Sequence, residues 1–141
     1  MASSEGSLSG GELLAAISNS IVALLRKHYG RGPMRAKTYV LDDLIVVVMR
    51  NGFTAIEKTM VESGRAERVV ELRQDFQQLM EGSYKEAVER YTGGKVVAFL
   101  SQAHVDPDLT IEMSLMDRAV PGFGAVEITD PLDPDSTDPP L

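Results

Sequence analysis

Three basic side chains and one tyrosine lie close together in the N-terminal third of the chain and could bind an anion. Arg35, Lys37 and Tyr39 occupy every second position of a segment rich in strand-forming residues, so a strand would place all three on one face. Arg31 precedes them in a glycine-containing loop and could close over a bound group. Two cations and a phenol suit a phosphate or a carboxylate. The alternative interpretation is that these cations pair with nearby acids such as Asp42.

A second polar group, His104 and Asp106, lies at a predicted turn and is a weak candidate for a metal site. Imidazole and carboxylate both bind divalent metals, but two ligands on one turn, without a second cluster, are a weak indication. An Asp-Pro-Asp turn with a surface histidine explains the same residues. The sequence therefore predicts no metal, no cofactor and no catalytic residue.

The composition excludes several classes of protein. The 141 residues contain no cysteine, which excludes a disulfide framework, thiolate metal sites and a cysteine nucleophile. The net charge of -7 comes largely from residues 119–141, which carry several acids and no base. No apolar run approaches the roughly 20 residues that span a bilayer, and no nucleic-acid-binding motif accompanies the basic segment. We expect a cytoplasmic protein that neither binds nucleic acid nor inserts directly into a membrane.

The spacing of apolar residues predicts three helices and four strands. The helices are expected at about 12–29, 54–63 and 66–91, and the strands at 35–41, 44–50, 95–104 and 109–116. Their order, α-β-β-α-α-β-β, predicts an α+β fold of two layers with a mainly antiparallel four-stranded sheet. We expect a single domain over residues 9–118. The other segments are a flexible N-terminus, residues 1–8, and an acidic, proline-rich, disordered tail, residues 119–141.

Two local patterns set expectations for the helices. Ser9 with Glu12, and Thr54 with Glu57, match the capping box that begins a helix. On the longest helix, one apolar stripe is predicted to face the core. It contains Val69, Leu72, Phe76, Leu79, Ser83, Ala87 and Tyr91, and it is widened by Met80, Tyr84 and Val88.

The strands differ in how many apolar faces they have. The last strand alternates, with Leu109, Ile111, Met113 and Leu115 on one side and polar residues on the other, which predicts one buried and one hydrated face. The second and third strands are apolar on both sides and need cover on both. A second copy of the chain is the simplest cover, so the sequence predicts a homodimer. The alternative is that the first helix lies across the second face.

Three segments of the chain together resemble a small bacterial family, the MpsC-like family. They read GRGPMRAKTYVLDDLIVVV, GFTAIEKTMVESGR and GGKVVAFLSQAHVDPDLTIEMSL, and the resemblance covers about residues 10–117. The family is named after a sodium-translocating, membrane-potential-generating system. The resemblance implies an accessory to a membrane ion-transport complex, and it supplies no catalytic residues.

Three functional hypotheses follow. The first is a non-enzymatic, cytoplasmic accessory or regulatory module, dimeric, acting beside a membrane transport system and contacting an anionic ligand or partner through Arg31, Arg35, Lys37 and Tyr39. The second is a small-anion-binding protein or enzyme that uses the same cations with His104 and Asp106, which requires a pocket joining the two groups. The third is a structural homodimer with no ligand.

Overall fold

The computed structural model describes residues 8–33 and 35–128 and contains three helices and four strands in the predicted order. The elements are α1 Gly10–Tyr29, β1 Arg35–Leu41, β2 Leu44–Arg50, α2 Ala55–Glu62, α3 Ala66–Thr92, β3 Val96–His104 and β4 Leu109–Met116. The strands form one antiparallel sheet in the order β1-β2-β4-β3. The predicted α+β class and the mainly antiparallel four-stranded sheet are confirmed.

The capping box predicted at α2 is present, and the one predicted at α1 is not. The Thr54 amide donates to the Glu57 carboxylate over 2.8 Å, and the Glu57 amide donates to the Thr54 hydroxyl over 3.2 Å. Ser9 precedes α1 but makes no side-chain capping bond, so that prediction is wrong. The first turn of α1 begins with two glycines, and Gly10 has a φ of 55°, which lies outside the helical range in which a capping side chain meets the first free amides.

All the helical cover lies on one face of the sheet. The buried residues of α1 (Leu13, Ile17, Ile21 and Leu25) share a single core with the inward residues of β1 and β2 and with Tyr84 and Val88 of α3. The two long helices lie side by side, α1 over β1 and α3 over β3, and the Ser20 hydroxyl donates to that of Tyr91 over 3.2 Å. The alternative in which α1 covers the second face is therefore wrong, because α1 packs beside α3 on the same face.

The last strand presents its polar side to the helices. Thr110, Glu112 and Ser114 are buried under them, while the apolar side of β4 points away. In register, Glu112 lies opposite Val47, whose side chain faces the core, and opposite residues of an antiparallel pair share a face. The expectation that the apolar side of β4 is the buried one is wrong, because its pairing with β2 fixes which side faces inward.

The long helix is turned relative to the predicted stripe. Leu72 and Leu79 are 60% and 81% exposed, whereas Arg73 and Gln77 are buried. The rotation brings Arg73 against α2 and the loop that follows β2, where it makes its hydrogen bonds. The assignment of Leu72 and Leu79 to the core is wrong for this reason.

A buried ion pair joins α3 to α2 and to that loop. Arg73 donates to both oxygens of Glu57, over 2.7 Å from Nε and 2.6 Å from Nη2, and from Nη2 to the Gly52 carbonyl over 3.0 Å. Its guanidinium carbon lies 4.0 Å from the centre of the Tyr29 ring. Burial by itself raises the pKa of Glu57, but the hydrogen bonds from Arg73 and Thr54 outweigh burial and hold that pKa below its ordinary value.

Packed residues occur near both ends of the described chain. Leu8 packs partly against the core, and the rest of the predicted flexible N-terminus lies outside the described residues. Val120 is buried, and its amide donates to the Asp42 carbonyl over 2.7 Å, so the packed body reaches slightly beyond residue 118. The part of the predicted tail from residue 129 onward also lies outside the described residues.

Removing Arg73 should destabilise the protein strongly. We expect Arg73→Met to lower the free energy of unfolding by about 3–5 kcal/mol, because the Glu57 carboxylate is left buried without its cation. Urea denaturation measures this, with Arg68→Met on the exposed side of α3 as the matched control. The double variant Arg73→Met, Glu57→Gln should recover part of the loss, since glutamine preserves the capping box. An Arg73 variant as stable as the Arg68 variant would contradict this role.

Candidate functional site

The side of the sheet that faces away from the helices is uncovered in the described structure, and we call it the open face. It consists of the odd-numbered residues of β1 and β4, the even-numbered residues of β2 and the even-numbered residues of 98–104 in β3. The two long helices pack on the opposite side, and α2 packs against α3. Every strand therefore contributes alternate side chains to one continuous surface.

The centre of the open face is apolar. One row across the four strands consists of Tyr39, Val46, Met113 and Leu100, and the next row towards the end of β1 consists of Leu41, Leu44, Leu115 and Ala98. Tyr39 is 46% exposed, Leu41 52% and Leu100 62%. A contiguous apolar patch of this kind on a folded surface indicates a binding face.

Three cations occupy one corner of the open face, and we call Arg35, Lys37 and Arg50 the cation corner. Arg35 and Arg50 are directly opposite each other on β1 and β2, and Lys37 lies in the next row beside Tyr39. Like charges placed opposite each other in a sheet repel. No acidic side chain in residues 8–33 and 35–128 forms an ion pair with any of the three. The corner thus presents three positive charges to whatever lies over it.

The structure brings together three of the four residues predicted to bind an anion. Arg35, Lys37 and Tyr39 share a strand face as their spacing predicts. Arg31 is engaged elsewhere: it donates from Nη1 to the Phe53 carbonyl and from Nη2 to the Asn51 carbonyl, each over 3.0 Å. It fixes the loop after β2, close to the Arg73 and Glu57 pair. Arg50 takes its place in the cation corner; its spacing in the sequence does not group it with the others, because only the register of the hairpin brings it opposite Arg35.

His104 and Asp106 lie at the far edge of the sheet from the cation corner. His104 is an exposed residue of the open face, and its Nδ1 lies 2.9 Å from the Pro107 carbonyl oxygen. Strands β1 and β3 are separated by two others, which puts Arg35 and His104 about 14 Å apart. A pocket joining the two groups would have to cross the flat face of the sheet. Within the described residues, no group of three or more His, Cys, Asp and Glu side chains is arranged to hold a metal ion.

The fold and this surface define a class of protein: a two-layer α+β domain whose sheet has helices on one side and an apolar face with a charged corner on the other. The chain belongs to the MpsC family, because the family model described as "Na+-translocating membrane potential-generating system (MpsC)" matches residues 9–118. The family resemblance found in the sequence is thereby confirmed. The chain has no significant match among curated proteins or among solved structures. In the described part of the chain, none of the helices has the length and apolarity to cross a membrane.

Proposed function

We propose that the chain is a non-enzymatic accessory module that works as a homodimer, in the cytoplasm, beside the membrane system named in its family's description. The observation that carries the proposal is the open face. Its apolar rows face solvent in the single chain, and a second copy seated on it would remove them from water. The family description supplies the link to a membrane system that generates a membrane potential.

The area of the open face suits a modest interface between two copies. Four strands spaced about 4.8 Å apart, with seven residues of about 3.3 Å each, give roughly 400 Å² in plan. Protruding side chains have a larger accessible area than the plan, so two copies would bury on the order of 1,000 Å² or more in total. This value lies in the lower range of specific interfaces, where association is reversible. Sheets that pack face to face also match each other in twist.

The charges on the open face favour a second copy as its occupant. The two hairpin turns lie at diagonally opposite corners of the sheet. The turn at Asp42 and Asp43 joins β1 to β2 at the end away from the cation corner. The turn containing Asp106 joins β3 to β4 at the same end as the cation corner. When two sheets pack in the aligned manner, a two-fold axis in the interface runs roughly across or roughly along the strands. The first arrangement sets the cation corner over the partner's Asp42 and Asp43 turn, and the second sets it over the turn containing the partner's Asp106. In either arrangement, Arg35 and Arg50 meet acids.

The non-enzymatic part of the proposal is supported by the contacts of the residues best suited to chemistry. Arg31 is bound to two backbone carbonyls, and the ring of His104 contacts the carbonyl of its own turn. One carboxylate oxygen of Asp108 accepts a hydrogen bond from the Phe53 amide over 2.9 Å. These side chains stabilise loops, and the open face is left for binding.

A single charge placed on the open face should separate the copies. We expect the wild-type chain to run at twice its 15.3 kDa mass in size-exclusion chromatography with light scattering, and Leu100→Glu to run as a monomer, because a buried carboxylate would face the partner's apolar rows. The matched control is Leu79→Glu, the same change at an 81% exposed position on α3. A monomeric wild-type chain, or dissociation by Leu79→Glu and not by Leu100→Glu, would contradict the interface.

The accessory role can be tested in cells that encode the chain. We expect deletion of its gene to lower the Na+-dependent part of the membrane potential, which a potential-sensitive dye reports. The Leu79→Glu chain should restore it, whereas the Leu100→Glu chain should not, since only the latter loses the open face. A potential that is unchanged by the deletion would rule out this role while leaving the dimer intact.

The cation corner favours a second candidate function, binding of a small anion by Arg35, Lys37, Arg50 and Tyr39. Three cations on one flat corner, none of them in an ion pair with a described residue, fit a phosphate group. We expect inorganic phosphate to raise the thermal midpoint of the Leu100→Glu monomer, in which no second copy covers the corner, relative to chloride at equal ionic strength. The effect should disappear in a chain that also carries Arg50→Gln. Equal midpoints in the two salts would exclude this candidate.

A further inference from the structure

A carboxylic acid lies inside the domain, on the side of the sheet away from the open face. Glu112 is the central residue of the polar side of β4 and is 3% exposed. Within the described residues, neither of its carboxylate oxygens has a hydrogen-bond partner. A buried carboxylate without a partner is costly in free energy, and such a group is retained in a core only against a strong disadvantage.

Ser101 and Gln77 also have buried oxygens without a hydrogen-bond partner within the described residues. Ser101 is directly opposite it on β3, which places the two Cβ atoms about 5 Å apart, and the Ser101 hydroxyl is buried without a partner. The side-chain carbonyl of Gln77, on α3 above β3, is also buried and unpartnered. Gln77 and Ser101 both line a groove of about 390 Å³ between α3 and β3. The groove therefore leads from the surface to the residue that faces Glu112.

Within residues 8–33 and 35–128, no cationic side chain pairs with the Glu112 carboxylate. Arg73, on α3, is committed to Glu57 at 2.6 Å. The other titratable groups close enough to feel Glu112 are Tyr84 of α3 and Tyr29 of α1, and the pKa of each phenol is raised, first by its own burial and further by the Glu112 charge. Val47 of β2, on the remaining side, is apolar. Burial raises the pKa of Glu112 to about 8.

We propose that Glu112, Ser101 and Gln77 bind one small monovalent cation that enters through the groove between α3 and β3. Carboxylate, hydroxyl and amide oxygens are the ligands that hard cations prefer. One carboxylate balances one positive charge, whereas a divalent ion beside it would leave an uncompensated charge in the core. The site is independent of the proposed dimer, because it lies on the opposite side of the sheet.

Binding of the cation displaces the proton from Glu112. The neutral acid holds its proton up to about pH 8, and only the carboxylate binds a cation well. As the pH increases towards 8, the apparent affinity for the cation should therefore rise by up to about tenfold per pH unit. Above pH 8 it should level off. Without a cation, the folded state retains a proton that the unfolded state has lost, so stability falls as the pH rises from the ordinary carboxyl pKa to about 8.

The test compares the thermal midpoint of the full chain in sodium, potassium and ammonium chloride, with choline chloride at equal ionic strength as the reference. At about pH 8.5, we expect at least one small cation, tenfold above its Kd, to raise the midpoint by about 5 °C over choline, and the rise to shrink at about pH 6.5. A response to ammonium alone would identify the ligand as an amine rather than an alkali ion. Equal thermal midpoints in all four salts would overturn the proposal, and these oxygens would then be expected to bind water.

Two variants separate the site from general salt effects. Glu112→Gln preserves the shape and removes the charge, so it should fold and lose the cation-specific rise, whereas Glu71→Gln, the same change on the exposed side of α3, should retain it. Should Glu112→Gln fail to fold, Ser101→Ala retains the carboxylate and should require a higher cation concentration for the same rise in thermal midpoint.

An independent readout is proton release. Adding the cation to the wild-type chain near pH 7.5 should release up to about one proton per chain. A cation response that survives in Glu112→Gln, or one without proton release, would refute the site.

Discussion

The restriction of the helices to one side of the sheet is the constraint on which the rest of this structure depends. The two long helices bury their apolar stripes against each other and against the same face. The third helix, α2, is held to α3 by the ion pair between Glu57 and Arg73 and adds no cover on the other side. Since β2 is apolar on both sides, half of its side chains must meet solvent or another molecule. The proposed dimer begins from that unmet requirement.

The orientation of β4 connects the open face with the buried acid. Had its apolar side faced the helices, Leu109, Ile111, Met113 and Leu115 would have joined the core, and Glu112 would have faced water. Pairing with β2 on one side and β3 on the other fixes the opposite arrangement. One strand orientation therefore produces both an apolar outer surface and a polar interior. A sequence that retains both features is expected to use both, because each one alone costs stability.

Local signals were sufficient to predict the elements, and long-range contacts decided what the sequence could not show. The helices, the hairpin at Asp42 and Asp43 and the α2 capping box depend on residues a few positions apart, and all were predicted. The alternation of β4 predicted one apolar and one polar face, but not which of the two the helices would pack against. The rotation of α3 depends on Arg73 reaching Glu57, which is 16 positions away, and periodicity carries no information about that bond.

The candidate site was predictable to a similar extent. Period-two spacing correctly grouped Arg35, Lys37 and Tyr39, because it follows from strand geometry alone. Arg50 lies beside them only because of the hairpin register. Arg31 lies apart from them because it binds two backbone carbonyls in the loop after β2. The polar side of β4 looked like a hydrated face, and only the sheet order shows that Glu112 lies inside.

The sheet order also affects how the chain reaches its native state. The central seam of the sheet joins β2 to β4, two strands from different hairpins, and pairs residues about 60 to 70 positions apart. Each hairpin closes a short loop, whereas the seam closes a long one containing α2 and α3, which costs more chain entropy. Until it closes, β2 presents a bare hydrogen-bonding edge made of valine and isoleucine, which is the kind of segment that pairs with a neighbouring chain. Pairing of β2 with β4 therefore also removes an edge that could pair with a neighbouring chain.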